Sequence, residues 1–263
     1  MHRFYLPPES CTGDALRIQG GEAHHALHVL RVKRGEPVVV LDGAGHEYLG
    51  EITDASREAL TMSVRERHSL PPPSCRITLL QAVPRGKIIE SIIQKSVELG
   101  AHRIVPLLTE RVVTQLDEQE RTQKREKWQR VAIEAIKQCG APWLPEIAAP
   151  ATIAEVLNPK PESGTQYASG PSPSAFDLSL VGSLQTERRH PRECFQEFHA
   201  RRGRSPQSVA VWIGPEGDFT PDELKAIQAS GALPISLGRL VLRVETAAIY
   251  CLSILNYELQ GAP

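Results

Sequence analysis

Two glycine-containing loops near the C-terminus hold the residues best suited to chemistry. The first reads Gly214-Pro215-Glu216-Gly217, and the second contains Leu237-Gly238 and runs on to Arg243 and Glu245. Glycine permits tight turns and lets bare backbone N–H and C=O groups approach a ligand closely. Arg243 offers a rigid cationic fork for a developing negative charge, and Glu216 or Glu245 could accept a proton. The alternative for Arg243 and Glu245 is a structural ion pair that fixes the start of the last helix, and the alternative for Thr246 is simple helix capping.

A phosphate-binding loop is the first alternative for these glycines. The spacing from Gly214 to Gly217 is shorter than a Walker A loop, and no Gly-Lys-Ser/Thr sequence follows it. The dinucleotide fingerprint G-x-G-x-x-G does not follow a strand anywhere in the chain. A nucleotide-hydrolysing enzyme is therefore a distant alternative.

Each loop follows an apolar run and precedes a helix. The run 209–213 predicts a buried strand, and Thr220-Pro221-Asp222-Glu223 opens a helix with an N-cap, a proline and a capping-box glutamate. A second strand is predicted at 234–236, and a last helix begins near Glu245-Thr246. We expect two strand–loop–helix units side by side in an open α/β sheet, where ligands bind at the carboxyl ends of the strands.

The central part of the chain predicts further strands of the same sheet and the helices that connect them. Strands at 76–83 and 102–108 enclose a helix with apolar residues on one face that ends at Gly100, which is a βαβ unit. A long helix is predicted at 118–138 and another strand at 176–181. The Pro/Gly/Ser-rich stretch 158–175 predicts a mobile loop, and the arginine-rich stretch 188–204 is either a nucleic-acid patch or a poorly ordered solvated segment.

The first 70 residues predict a separate β-rich module. A hairpin is expected from 36–41 and 47–52, a further strand at 60–64, and a short helix at 24–34 that ends in a basic turn. Arg31, Lys33 and Arg34 in that turn could hold phosphates, although a solvated charge cluster explains them equally well. The proline-rich stretch 69–73 predicts a linker, which places domains at 1–70 and 74–263.

Composition limits the classes of protein that remain. The chain has 263 residues, a net charge of −1 and five scattered cysteines without a C-x-x-C pair, so neither a disulfide framework nor a zinc site is expected. His24 and His28 lie one helical turn apart, but no carboxylate or cysteine completes a metal site. The N-terminus lacks a signal-peptide core, and no apolar run is long enough to span a membrane. A cytoplasmic protein without a metal is predicted.

The two C-terminal loops also form a recognisable pattern. IGPEG followed by LG-x-x-x-LR-x-ETA resembles the SPOUT class of RNA methyltransferases. Within that class the chain is most similar to the bacterial family that methylates N3 of a uridine in 16S ribosomal RNA. The strings LRVKRGEPVVVLDGAG, QKSVELGAHRIVPLLTER and KREKWQR, and Gln138-Cys139-Gly140, resemble that family as well.

The resemblance implies a fold, a cofactor and a set of site residues. The fold would be an N-terminal PUA-like β-barrel that helps to hold RNA, followed by an α/β domain with a parallel sheet and a deep trefoil knot. S-adenosylmethionine (SAM) would lie against Leu180, Gly214, Glu216, Gly217, Leu237, Gly238, Leu242 and Ala247. Catalytic roles would fall to Arg243, Glu245 and Thr246. RNA contacts would fall to Arg31, Lys33, Arg34, Lys87 and Arg111. The substrate would be 16S rRNA or a 30S ribosomal particle, and the enzyme would be a homodimer.

Two departures from the family pattern keep alternatives open. The family usually has arginine where this chain has Ala141, and commonly has a second glycine where this chain has Asp218. A catalytically silent RNA-binding protein is therefore one alternative. A SPOUT enzyme that methylates another RNA position, such as a ribose 2′-hydroxyl, is the other.

Overall fold

The structure, a computed structural model, describes residues 1–56, 58–111, 116–159, 176–184 and 187–259. It separates into two compact units. The first unit comprises Met1–Pro72 and Ile133–Leu144, and the second comprises Pro73–Ala132 and Pro145–Pro263. The predicted mobile loop at 158–175 lies almost entirely outside the described residues.

The first unit is built on a five-stranded sheet. Its strands are β1 (His2–Tyr5), β2 (Ala15–Gln19), β3 (Pro37–Leu41), β4 (His46–Ala55) and β5 (Ala59–Ser69), in the order β1-β3-β4-β5-β2. Strands β1 and β3 are parallel and the other pairs are antiparallel. Alternate residues of β2 point inward, as the period of two requires, so Leu16 and Ile18 are fully buried.

The N-terminal prediction is confirmed for the hairpin and needs three corrections. The helix consists of α1 (Gly20–His24) and a π-helical segment (His25–Leu30), and it ends before Arg34 because Arg31 takes a left-handed conformation with φ of 56°. The strand predicted at 60–64 continues to Ser69, so the proline-rich connection begins only at Leu70. Strands β1 and β2, the latter amphipathic, had not been predicted.

The second unit contains a parallel sheet with helices on both faces. Its strands are β6 (Arg76–Ala82), β7 (Arg103–Leu108), β8 (Glu146–Ile147), β9 (Ala151–Thr152), β10 (Leu178–Gly182), β11 (Ser208–Ile213) and β12 (Leu233–Ile235). The order is β12-β10-β11-β6-β7-β8, with β9 also paired to β7, and every pair is parallel. The helices are α2 (Ile88–Glu98), α3 (Glu118–Cys139, whose last residues belong to the first unit), α4 (Ile153–Leu157), α5 (Pro191–Arg202), α6 (Pro221–Ala229) and α7 (Val244–Leu259).

Strand order corrects one expectation. The two C-terminal units, which begin with β11 and β12, are not neighbours, because β10 lies between them and pairs with both. The sequence order of strands does not determine their spatial order when helices connect parallel strands. The mixed α/β fold with a parallel sheet and an N-terminal β module is confirmed, whereas the trefoil knot stays a prediction.

Apolar burial explains why these elements pack as they do. Trp212 on β11 is fully buried and donates its ring N–H to the hydroxyl of Ser179 at 3.1 Å. Helix α7 turns Ala248, Leu252 and Leu255 toward the sheet, where it contacts β6 and β11. The arginine-rich stretch is ordered as α5, and it buries Cys194, Phe195 and Phe198. None of the described helices has the combination of length and apolar character that crossing a membrane requires.

Candidate active site

A cavity of about 270 Å³ opens at the carboxyl ends of β10, β11 and β12. Three loops surround it, one after each strand. The cavity is lined by Gly182, Ser183, Leu184, Arg188, Ile213, Gly214, Pro215, Glu216, Gly217, Asp218, Leu237, Gly238, Leu240, Val241, Leu242, Arg243, Val244 and Ala247. Carboxyl strand ends of an open α/β sheet are where such folds bind ligands, and a few charged groups among apolar ones are typical of a ligand pocket.

The loop after β11 needs glycine for two different reasons. A side chain at Gly214 would begin 3.1 Å from the Phe219 nitrogen and 3.2 Å from Oδ1 of Asp218, so these neighbours would have to shift by a few tenths of an ångström to admit it. Gly217 has φ of 91°, a conformation that side-chain-bearing residues rarely adopt. The loop backbone can therefore lie directly against a ligand.

Asp218 also has a left-handed backbone, with φ of 70°, and aspartate is among the few residues besides glycine that tolerate it. Its carboxylate is turned inward and only 8% of the residue is exposed. Oδ1 accepts a hydrogen bond from the N–H of Phe219 at 2.8 Å, and Oδ2 accepts one from the N–H of Leu184 at 2.9 Å. The departure from glycine at this position is thus accommodated by the loop.

The same loop is tied to the loops that follow β6 and β7. The N–H of Arg85 donates to Glu216 at 3.3 Å, and the guanidinium of Arg111 donates to the carbonyl of Asp218 at 3.2 Å. Glu223 accepts from the N–H of Glu110 at 2.9 Å with one carboxylate oxygen. Its other oxygen closes the predicted capping box by accepting from the N–H of Thr220 at 2.8 Å.

The second glycine loop leads from β12 into α7. Gly238 has φ of 112°, and its N–H donates to the hydroxyl of Ser236 at 3.3 Å. Leu240 and Val241 are 80% and 76% exposed at the edge of the cavity. The carbonyl of Arg243 accepts from the N–H of Ala247 at 2.8 Å, so Arg243 stands at the start of α7 with its side chain exposed.

Comparisons with known proteins agree with this geometry. A family model described as the RNA methyltransferase domain matches residues 71–256, and one described as the RNA methyltransferase PUA domain matches residues 18–64. The chain belongs to the RNA methyltransferase family.

Relatives in this RNA methyltransferase family resemble the chain over most of its length. "Ribosomal RNA small subunit methyltransferase E" of Synechocystis sp. is 30% identical over 99% of this chain and 78% of that protein. The protein of the same description from Bacillus subtilis is 26% identical over 92% of this chain and 89% of its own. A Legionella pneumophila protein, solved as a methyltransferase in complex with the bound cofactor SAM, superposes with a TM-score of 0.80 at 29% identity, covering 97% of both chains.

The structure brings most of the sequence-predicted cofactor residues of this RNA methyltransferase together. Gly214, Glu216, Gly217, Leu237, Gly238, Leu242 and Ala247 line the cavity, as does Arg243. Leu180 does not line it. That residue is 1% exposed and borders a small apolar space with Cys251 beneath the sheet. Burial raises the pKa of the Cys251 thiol to about 12, so this thiol stays protonated and is not a nucleophile.

The remaining predicted catalytic residues lie beside the cavity rather than in its lining. Glu245 is half-buried in the first turn of α7, where its charge is favourable at the helix N-terminus, and Thr246 is exposed. The described residues include no ion pair between Glu245 and Arg243. Their roles in catalysis stay predictions.

The predicted RNA-binding residues lie in both units. Arg31, Lys33 and Arg34 are exposed, and none of them is ion-paired to an acidic side chain in the described part of the chain. Lys87 is exposed at the start of α2, and Arg111 is exposed with one nitrogen bound to the glycine loop.

Ala141 lies in the first unit, one residue after Gly140. The guanidinium of Arg3 donates to the carbonyl of Gln138 at 3.2 Å and lies about 3.1 Å from where a side chain at Gly140 would begin. The guanidinium of Arg3 therefore lies beside Gly140, the residue that precedes Ala141.

Sequence reasoning missed the third wall of the cavity. Ser183, Leu184 and Arg188 line it, and Arg188 donates to the carbonyl of Ser183 at 3.2 Å. The predicted strand at 176–181 could have indicated this wall. In a parallel sheet, the loop after that strand must lie at the same edge as the two glycine loops.

Proposed function

We propose that this RNA methyltransferase transfers the methyl group of SAM to N3 of a uridine in 16S ribosomal RNA of the small subunit. The observation that carries the proposal is the cavity between the glycine loops, with the cationic Arg243 in its lining. The 29% identical Legionella pneumophila methyltransferase with bound SAM supports SAM as the cofactor. The relatives described as small-subunit methyltransferase E support ribosomal RNA as the substrate. The uridine N3 target rests on the family resemblance.

The residues present suit SAM. Gly214, Gly217 and Gly238 leave backbone groups uncovered for an adenine edge and an amino-acid end, and apolar side chains such as Leu237 and Leu242 cover the rest of the lining. When bound, SAM supplies an electrophilic methyl group on a cationic sulfur. The chain's own task is to hold that group in line with the attacking nitrogen and to exclude water.

The target base sets the remaining chemical requirements. Uridine N3 carries a proton and is a poor nucleophile until that proton leaves, after which negative charge spreads over the two flanking carbonyl oxygens. Arg243 would stabilise that charge with its guanidinium N–H groups. Glu245 or Glu216 would accept the proton, and Thr246 would help to position the base. Glu216 lines the cavity, whereas Glu245 lies in the first turn of α7. The pH–rate profiles of Glu216→Gln and Glu245→Gln would separate the two.

RNA binding would use both predicted domains, at 1–70 and 74–263. The first would be the PUA-like module, with Arg31, Lys33 and Arg34 on RNA phosphates, and the second would contribute Lys87 and Arg111. Acting on 16S rRNA or the 30S particle during ribosome biogenesis would place the enzyme in the cytoplasm.

A homodimer would be formed through the outer face of α7. Thr246, Tyr250, Ser253 and Tyr257 follow one another at helical spacing and all are exposed, and Tyr257 is 81% exposed. Two exposed tyrosines, Tyr250 and Tyr257, lie two helical turns apart on this face, and exposed aromatic side chains suit an interaction surface. The inner face of α7 is already used by the core.

The decisive experiment is methyl transfer from labelled SAM to 30S particles from a strain that lacks the endogenous activity, followed by nucleoside analysis. N3-methyluridine is the expected product. A ribose-methylated nucleoside would show instead that the enzyme methylates a ribose 2′-hydroxyl. Cofactor binding without incorporation would indicate another RNA. If the protein neither binds SAM nor transfers its methyl group, the enzymatic proposal is wrong, and an RNA-binding protein without catalytic activity is favoured.

A further inference from the structure

The loop after β10 is held by three hydrogen bonds, of which one comes from a side chain outside the loop, that of Asp218. Leu184 donates its N–H to Oδ2 of Asp218 at 2.9 Å, and the carbonyl of Ser183 accepts from Arg188 at 3.2 Å. Ser183 also donates its N–H to the carbonyl of Ile235 on β12 at 3.4 Å. Among these three bonds, only the one to Asp218 joins this wall of the cavity to the glycine loop after β11.

The backbone N–H, the carbonyl and both carboxylate oxygens of Asp218 are all hydrogen-bonded. Its N–H donates to the carbonyl of Pro215 at 3.0 Å, its carbonyl accepts from Arg111 at 3.2 Å, and its two carboxylate oxygens accept from Phe219 and Leu184. The residue is 8% exposed and lines the cavity. A carboxylate so nearly buried is costly unless hydrogen bonds satisfy it, and charge-assisted bonds to N–H groups are the strong kind.

We propose that Asp218 is a positioning residue that sets the distance between two walls of the cofactor cavity by binding the Leu184 amide. Glycine at this position would allow the same backbone conformation but would leave the two loops unconnected at this point. The inference rests on the proposed function, because it assigns the cavity to SAM. The expected consequence of losing the carboxylate is weaker cofactor binding with little change in the chemical step.

Asp218→Gly is the principal test, because glycine accepts φ of 70° without strain. Its affinity for SAM alone, measured by calorimetry, should fall by about tenfold, the size of one charge-assisted hydrogen bond. In turnover, KM for SAM should rise by a similar factor while kcat at saturating SAM stays within about threefold. A role confined to folding would instead lower the active fraction, and so kcat, at constant KM.

Asp222→Ala is the matched control. It removes the carboxylate of an exposed residue four positions away, in the first turn of α6 and outside the cavity lining. Hydrogen exchange of the Leu184 amide should accelerate in Asp218→Gly and not in Asp222→Ala. Asp218→Asn keeps one acceptor oxygen. Its affinity for SAM and the hydrogen-exchange rate of its Leu184 amide should lie between those of the wild type and those of Asp218→Gly. If Asp218→Gly does not fold, Asp218→Asn tests the proposal in its place.

Unchanged SAM affinity in a folded Asp218→Gly or Asp218→Asn variant would overturn the inference and leave the proposed function intact. Unaltered protection of the Leu184 amide would overturn it as well. Failure of the wild-type protein to bind SAM would overturn the proposed function, and with it the assignment of Asp218 to a cofactor site.

Discussion

Arg243 offers the sharpest test at the scale of a single residue. Arg243 is exposed and lines the cavity, and its guanidinium should act on the base that is methylated rather than on the cofactor. Arg243→Ala should lower kcat by about 10²–10³-fold, the usual loss when a donor to a developing negative charge is removed. SAM affinity should change by less than about threefold, measured by calorimetry beside single-turnover methylation.

Arg239→Ala is the control for this change, because Arg239 is exposed in the same segment but does not line the cavity. It should leave kcat within about twofold of wild type, as expected for a surface charge away from the reacting atoms. A loss of SAM affinity in Arg243→Ala as large as the loss of rate would assign Arg243 to cofactor binding instead.

Substitution of Gly238 tests whether the backbone conformation of the second glycine loop is needed for SAM binding. At φ of 112° a side chain is strained although no neighbouring atom lies within 4 Å of the new carbon. Gly238→Ala should therefore distort the loop at a cost of about 1–3 kcal/mol and raise Kd for SAM about tenfold or more. Gly231→Ala imposes similar strain at φ of 99° outside the cavity lining, and should lose stability but keep its affinity for SAM. Equal losses of affinity in both variants would refute a local role for Gly238.

The capping box of α6 belongs to the scale of the element. Glu223 is 8% exposed and accepts from the N–H groups of both Thr220 and Glu110, so it caps α6 and anchors the loop after β7. Glu223→Ala should reduce the free energy of unfolding by about 2 kcal/mol because two N–H groups, both in partly buried hydrogen bonds, lose their acceptor. Urea denaturation of the purified protein measures this change.

The chain contains a second capping box that serves as a matched control. Glu155 caps α4 through Thr152, but its own side chain is half exposed, and its other partner is the guanidinium of Arg121 rather than a backbone N–H of another loop. Glu155→Ala should cost only about 1 kcal/mol. Equal costs for the two variants would mean that the bond to Glu110 adds nothing.

The pH dependence of unfolding is a property of the whole molecule. Asp177, just before β10, accepts hydrogen bonds from both terminal nitrogens of Arg204 and from the N–H of Gln207. The side-chain hydrogen bonds to Arg204 lead the causes that lower its pKa to about 2. A lowered pKa stabilises the fold above the unfolded pKa, and this stability is lost as pH falls through the folded pKa.

Asp177→Asn should therefore lower the free energy of unfolding at pH 7 by about 1 kcal/mol, a value reduced for the partial exposure of the pair. The difference from wild type should shrink as the pH is lowered from about 4 toward 2 in urea titrations. Glu98→Gln, which breaks the exposed pair with Lys95, should change stability by less than about 0.5 kcal/mol at any of these pH values. A cost for Asp177→Asn that does not vary with pH would show that the charge is not its cause.

Local patterns sufficed for much of the fold and part of the site. Apolar runs predicted β6, β7, β10 and β11 close to their observed bounds, and the cap at Thr220 predicted the start of α6. Those signals are local because hydrophobic period and capping act over a few residues. Gly238 likewise indicated a backbone conformation that few other residues adopt.

The sequence by itself determined the class of fold, the family, and the two glycine loops of the cavity. Only the tertiary structure decided that β10 separates β11 from β12, that Ser183 and Leu184 form the third wall, and that Leu180 is a core residue. It also decided that the carboxylate of Asp218 points inward onto the Leu184 amide, 34 positions away along the chain. Strand order and such long-range hydrogen bonds depend on which segments pack together in space, and a local pattern of residues does not contain that information.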